Sequence, residues 1–159
     1  MRSWRASSER MQIHYRNEVR GSGVDARALK SAMRKLLAGV EQGDASISLT
    51  LVNDAAIREI NRAHRGKDAP TDVLSFPLEP EPFAHEKLLG DIVISIETAR
   101  RQAADYEAPV QREVERLMIH GLLHVLGHDH MKPEERREME AEERRLAAVI
   151  GMPWPYDES

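Results

Sequence analysis

The stretch His120-Gly-Leu-Leu-His124-Val-Leu-Gly127-His128-Asp129-His130 holds the side chains best suited to chemistry. Residues four apart on an α-helix lie about 40° apart around the axis and roughly 6 Å along it, so the imidazoles of His120 and His124 can reach one ion from one helix face. A straight helix would carry His130 roughly 15 Å past His120 and onto another face. Gly127 removes that obstacle, because glycine takes the left-handed conformation that ends a helix and turns the chain back. The expectation is one divalent ion held by His120, His124 and His130. Imidazole suits zinc, copper, nickel and iron alike; zinc is the ion expected here. Three neutral nitrogen ligands leave a fourth position open, as in catalytic rather than structural zinc sites. Such an ion lowers the pKa of water to about 7 and polarises a phosphoryl or carbonyl oxygen, so the reaction class is metal-assisted hydrolysis.

The spacing H-x-x-x-H-x-x-G-x-x-H also matches the long metzincin protease motif, with one break. Those proteases need Glu directly after the first histidine as general base, and this chain has Gly121. A peptide leaving group needs a proton, so the loss counts against proteolysis. Asp129, between two histidines, is the nearest carboxylate; it reads either as a direct catalytic group or as a turn-stabilising or ligand-orienting one. His128 reads as a solvent-facing turn residue, ahead of ligand or proton shuttle.

A second constellation is Asn61-Arg62-Ala-His64-Arg65-Gly66-Lys67-Asp68-Ala-Pro70-Thr71-Asp72-Val-Leu-Ser75-Phe76. Arg62, Arg65 and Lys67 crowd its start. Arginine offers a planar fork that fits phosphate oxygens, and a turn with Gly66 and Thr71 can present backbone N–H groups to an anion. On composition alone this is a solvated polar loop. Beside a hydrolytic metal it suggests a phosphodiester substrate.

The elements that must position these groups follow from periodicity. Met11–Val19 alternates as a first strand. Val24–Val40 carries a helical stripe (Leu29, Met33, Leu36, Leu37, Val40) with Asp25 as N-cap. Ala45–Val52 is a strand, and Asn53-Asp54 caps a short helix with Ile57 and Ile60 inward. Arg62–Ser75 reads as a polar loop leading into a short strand, Val73–Phe76, ended by Pro77. Leu78–His85 is a loop, Gly90–Ile96 a strong strand, and Glu97–Tyr106 a helix. Pro109 opens a helix to about Leu126, and Pro133 one to about Ile150, whose outer face is laced with charge such as Glu140 and Arg144. The fold class is therefore α+β: one domain, a mixed sheet of about four strands packed with about five helices, the metal site at the end of a central helix. Residues 1–10 are expected to be a disordered leader, 11–152 the domain and 153–159 a tail; Met11 is a candidate natural start.

At 159 residues the chain can bury one full-sized core. It has no cysteine, so disulfides and thiolate sites are excluded. The N-terminus MRSWRASSERM lacks the apolar core of a secretory signal, and no apolar run approaches a membrane span, so a soluble cytoplasmic protein is expected. A net charge of −4 excludes global electrostatic attraction to nucleic acid. RNA binding would need a local patch such as Arg62–Lys67 and would weaken steeply with salt. Aromatic content of 4% leaves little for base-stacking platforms.

Three ordered blocks carry a family resemblance: Arg65-Gly-Lys-Asp-x-Pro70-Thr71-Asp72-Val-Leu-Ser75-Phe76-Pro77, Leu89-Gly90-Asp91-Ile92-x-Ile94-Ser95, and the histidine stretch. From about Met11 to Ile150 the chain resembles the bacterial YbeY endoribonucleases. Where the family signature usually has Tyr, this chain has His128, which leaves the three ligands intact but alters any role of that position in stacking or pocket shape. The resemblance implies a single-domain α+β protein, a three-histidine metal usually taken as zinc, and single-strand-specific endoribonuclease activity. It implies partners too: single-stranded RNA and rRNA, with the small ribosomal subunit and its proteins, in maturation of 16S rRNA, especially its 3′ end, and in ribosome quality control. Arg65 matches the family's functional arginine near the metal cleft. In the expected mechanism Arg65 binds the scissile phosphate and offsets its developing charge, while Asp129 orients a ligand or takes a proton. Two other readings remain: a metalloprotease-like hydrolase, disfavoured by Gly121, and a non-catalytic ribosome-assembly factor with a structural metal, disfavoured by the open fourth position.

Overall fold

Central strands of a sheet buried on both faces read as near-continuous apolar runs; Ile92-Val93-Ile94 is such a run, whereas Ser46–Val52 alternates Ile47, Leu49 and Leu51 with Ser48 and Thr50. β2 (Ser46–Val52) and β4 (Leu88–Ser95) lie side by side and parallel, with Ile47, Leu49, Leu51, Ile92 and Ile94 shielded from solvent. The structure, a computed structural model, describes residues 11–129 and 131–154. β1 (Ile13–Asn17) pairs parallel with β2, and β3 (Val73–Pro77) pairs antiparallel with β4, giving a mixed sheet in the order β1-β2-β4-β3. β3 is thus an edge strand, a position where the terminal Pro77 is tolerated.

Five helices clothe the sheet among the described residues: α1 (Ala26–Gly39), α2 (Asp54–Arg65), α3 (Ile96–Asp105), α4 (Val110–Val125) and α5 (Pro133–Val149). Strand side chains alternate between faces, and the core divides accordingly. Ile92 and Ile94 join Leu29, Met33, Leu117, Leu122 and Leu146 in the main core beneath α1, α4 and α5. Val93, from the opposite face, joins Val52, Leu74 and Ile57 in a smaller cluster beneath α2. α4 is the central helix, with Val114, Leu117, Met118, Ile119, Leu122 and Leu123 all buried. It approaches the sheet closely at Gly121, where a Cβ would lie 2.8 Å from Ile92 Cγ2 and 3.1 Å from Ser75 Oγ.

The expected caps hold for α1, where Asp25 accepts from Ala28 N–H, and the start of α3 is capped by Ser95, which accepts from Thr98 N–H. At α2 two expectations are corrected. The Asn53 side chain makes no capping bond; the Asp54 N–H instead donates to Glu97 Oε1 at 2.7 Å. The helix also runs on through Arg62–Arg65, which were expected in a loop, because Asn61 continues its buried stripe and Gly66, at φ 70°, is the first residue to leave it. After α5, Met152 enters the main core and the Arg116 guanidinium lies over the Trp154 ring at 5.7 Å. The expected leader at 1–10, and the tail beyond Trp154, lie outside the described residues. No helix among the described residues is long and apolar enough to cross a membrane.

Candidate functional site

α4 brings His120 and His124 together as its helical spacing requires. Their Nε2 atoms are 3.1 Å apart, with the rings at 70° to one another. Two nitrogens about 2.0–2.1 Å from one zinc ion in tetrahedral geometry stand about 3.3 Å apart, so the pair fits one edge of such a site. Beyond His124 the helix stops in a Schellman arrangement: Gly127, at φ 98°, donates to His124 O (3.0 Å) and the His128 N–H to Leu123 O (2.9 Å). The turn expected at Gly127 is therefore present. His130 lies outside the described residues, and with it the expected third ligand. Among the described residues no three His, Cys, Asp or Glu side chains are placed to hold an ion together.

One carboxylate escaped sequence reasoning. Glu143 of α5 accepts a hydrogen bond from His120 Nδ1 at 2.8 Å, its side chain only 8% exposed. A carboxylate accepts, so this hydrogen bond fits His120 as the Nδ1–H tautomer, with its Nε2 turned to His124 Nε2. The sequence does hold a signal for it: Glu143 falls on the buried stripe of α5, between Met139 and Leu146, and acids on an apolar face need a partner.

Asp129 is exposed and His128 half-buried. Both line a depression of about 190 Å³ with Leu126, Gly127, Glu135 and Glu138, the last two from the start of α5. Gly121, where a protease of similar spacing has its base, faces the sheet: Ser75 Oγ donates to its carbonyl at 3.1 Å. A side chain here would start against Ile92, Ser75 and Val73 of the sheet.

Arg65 is the last residue of α2. The Gly66 N–H bonds back to Arg62 O at 3.1 Å, ending the helix. The cations around it differ in their engagement. Arg62 pairs with Glu59 and Arg58 with Asp68, each at 2.8 Å, and the guanidinium hydrogen bonds hold both carboxyls below the usual carboxylate range. Arg65 and Lys67 are exposed and make no side-chain hydrogen bond or ion pair among the described residues. Asn61 anchors the turn they occupy: its side-chain Nδ2 donates to Ala69 O at 2.9 Å and its backbone carbonyl accepts from Lys67 N–H at 3.4 Å. His64 lies against Phe76 of β3, ring centroids 5.2 Å apart. The two constellations therefore flank β3, the histidine helix on the Ser75 side and the α2 terminus on the Phe76 side. Arg65 does not touch the histidine pair through a hydrogen bond or ion pair.

A family model described as "Endoribonuclease YbeY" matches residues 14–151. Curated relatives carry the same description. The protein from Moorella thermoacetica is 50% identical over 118 residues, covering 69% of this chain and 76% of that protein. That from Persephonella marina is 42% identical over 132 residues, covering 82% and 84%. That from an Anaeromyxobacter species is 48% identical over 127 residues, covering 80% of this chain but 66% of the relative, so about a third of that protein lies outside the match. The solution structure of TM1509 from Thermotoga maritima superimposes with a TM-score of 0.60 at 29% identity, over 87% of this chain and 89% of that one.

Proposed function

Because the chain belongs to the YbeY endoribonuclease family, we propose that it is a metal-dependent endoribonuclease that cuts single-stranded RNA in the cytoplasm. Its substrate in this reading is ribosomal RNA, above all the 3′ end of 16S rRNA during maturation and quality control of the small subunit. The observation that carries the reading is the pairing of His120 Nε2 with His124 Nε2, 3.1 Å apart on the central helix.

His120, His124 and His130 would hold the ion, with zinc proposed on the chemistry of an all-histidine donor set. When bound, it supplies Lewis-acid polarisation of a phosphoryl oxygen and access to hydroxide at neutral pH. The chain's own residues do the rest. Arg65, a planar donor fork on an exposed helix end, takes the scissile phosphate and offsets the charge that develops on it. Lys67, exposed two residues on, adds a second cation for the RNA backbone. Asp129, in the turn after α4, orients a ligand or accepts a proton. The residue at the base position of the protease motif is Gly121, which carries no side chain and packs against the sheet, and this supports the reading over a protease.

The test is cleavage of a single-stranded RNA by metal-loaded wild type and His124→Ala at equal concentration. Cleavage should fall by more than about 100-fold in the variant, beyond the 10–100-fold typical of groups that only support a ligand. Equal cleavage would sink the assignment by exposing a contaminating nuclease. End-group analysis of the same products identifies the nucleophile, since a 2′,3′-cyclic phosphate means attack by the RNA 2′-hydroxyl.

A further inference from the structure

We propose that Glu143 is a positioning residue for metal binding: from α5 it locks the His120 ring as the Nδ1–H tautomer and turns its unprotonated Nε2 toward the point His124 faces. The inference rests on the reading of His120 as a ligand. A neutral imidazole in water favours the Nε2–H form, which would place a proton where an ion must sit. Choosing the other form needs a strong acceptor at Nδ1, and an ionised carboxylate is the strongest a side chain offers.

The structure gives Glu143 little else to do. Its side chain is 8% exposed and sits among Met139, Leu146 and Ala147 on the inward face of α5. Among the described residues its hydrogen-bond partner is His120 Nδ1, at 2.8 Å. A buried carboxylate is costly unless paired, and an apolar residue would serve α5 packing better. A carboxylate that orients a histidine ligand from behind is the arrangement that raises ligand basicity and fixes ring angle. Helix α5 is thereby part of the site, although none of its residues would touch the ion.

The experiment uses full-length wild type, Glu143→Gln and Glu143→Met. The tautomer of His120 is read from its ring ¹⁵N shifts in metal-free protein at mildly alkaline pH. Zinc affinity is read by competition with a chromophoric chelator, and circular dichroism reports the fold. Wild type should show the Nδ1–H form. Both variants should shift toward Nε2–H, Met more than Gln, and bind zinc about 10–100-fold more weakly. Gln keeps the side-chain volume, so the test survives if the Met variant does not fold.

An Nε2–H ring in wild type would overturn the proposal. So would an affinity loss with an unchanged tautomer, which would make Glu143 a packing residue, or a tautomer shift with affinity within about twofold of wild type. If wild type itself bound no zinc, the metal reading would fail separately; a tautomer shift in the variants would then still support the orienting role of Glu143.

Discussion

Helix α4 ends in His120, His124 and the left-handed Gly127, and helix α2 ends in Arg62, Arg65 and the left-handed Gly66, at φ 98° and 70°. Their surroundings differ. α4 runs through the main core, and its first histidine is held from behind by Glu143. α2 buries only Ile57 and Asn61 and is tied down by polar contacts, through Glu97 and Asp54 at its start and Asn61 at its end. Ligands that must meet one ion need fixed geometry, because a small displacement leaves the ion under-coordinated. A guanidinium that follows a flexible, repeating backbone gains from reach and loses rotamer freedom only when it binds. In the proposed reading the two imidazoles of α4 that would hold the ion lie on the most buried helix, and Arg65, the cation proposed to bind phosphate, ends the least buried one, with β3 between.

The sharpest break of that comparison would be coupling between the two ends. Arg65→Ala should lower RNA cleavage by about 100-fold, the scale of losing one preorganised donor to a developing charge. Zinc content by elemental analysis should stay unchanged, and the salt dependence of RNA binding should flatten, by a slope of about 0.7 per lost phosphate contact on a single strand. Loss of zinc would show that the α2 terminus builds the ion site and would erase the distinction.

Glycine substitutions sharpen it further. Gly121→Ala gains up to about 1 kcal/mol of helix propensity but forces a Cβ to 2.8 Å from Ile92, and overpacking a close-packed core costs about 1–3 kcal/mol. We expect a net loss, seen as a lower urea midpoint and weaker zinc affinity. Gly66→Ala meets no atom within 4 Å. Its cost is the left-handed backbone alone, about 1 kcal/mol, and zinc affinity should not move. Equal effects on zinc would mean that α4 is not held more tightly than α2.

The smallest expected effect is on acid stability at the start of α2. Burial pushes the Asp54 carboxyl up, but hydrogen bonds from Ser95, Thr98 and Arg101, with the Arg101 charge, outweigh it and hold the group below the usual carboxylate range. A depressed folded value stabilises the protein above the unfolded carboxylate range, near about pH 4. That contribution disappears as pH falls through the folded value. Asp54→Asn should therefore lower the urea midpoint at neutral pH and converge with wild type in strong acid. A difference that persists in acid would mean that shape, not charge, anchors α2.

Much of this was readable along the chain. The four-residue spacing of His120 and His124, the stop at Gly127, the Asp25 cap and the alternating strands all depend on neighbours a few residues apart, and local backbone geometry dictates them. The family blocks were readable for the same reason. Less local features were not. The extension of α2 through Arg65 depends on Asn61 finding the Ala69 carbonyl, and its cap comes from Glu97, 43 residues from Asp54.

The sequence by itself determined which side chains share a helix face, where α4 stops, and that an imidazole pair with an arginine-rich segment is the chemistry on offer. Only the tertiary structure decided that Gly121 faces the sheet, that Arg65 closes a helix across β3 from the histidines, and that Glu143 stands behind His120. Those three facts depend on how helices dock, and docking is set by the summed burial of side chains far apart in the chain, which no local spacing encodes.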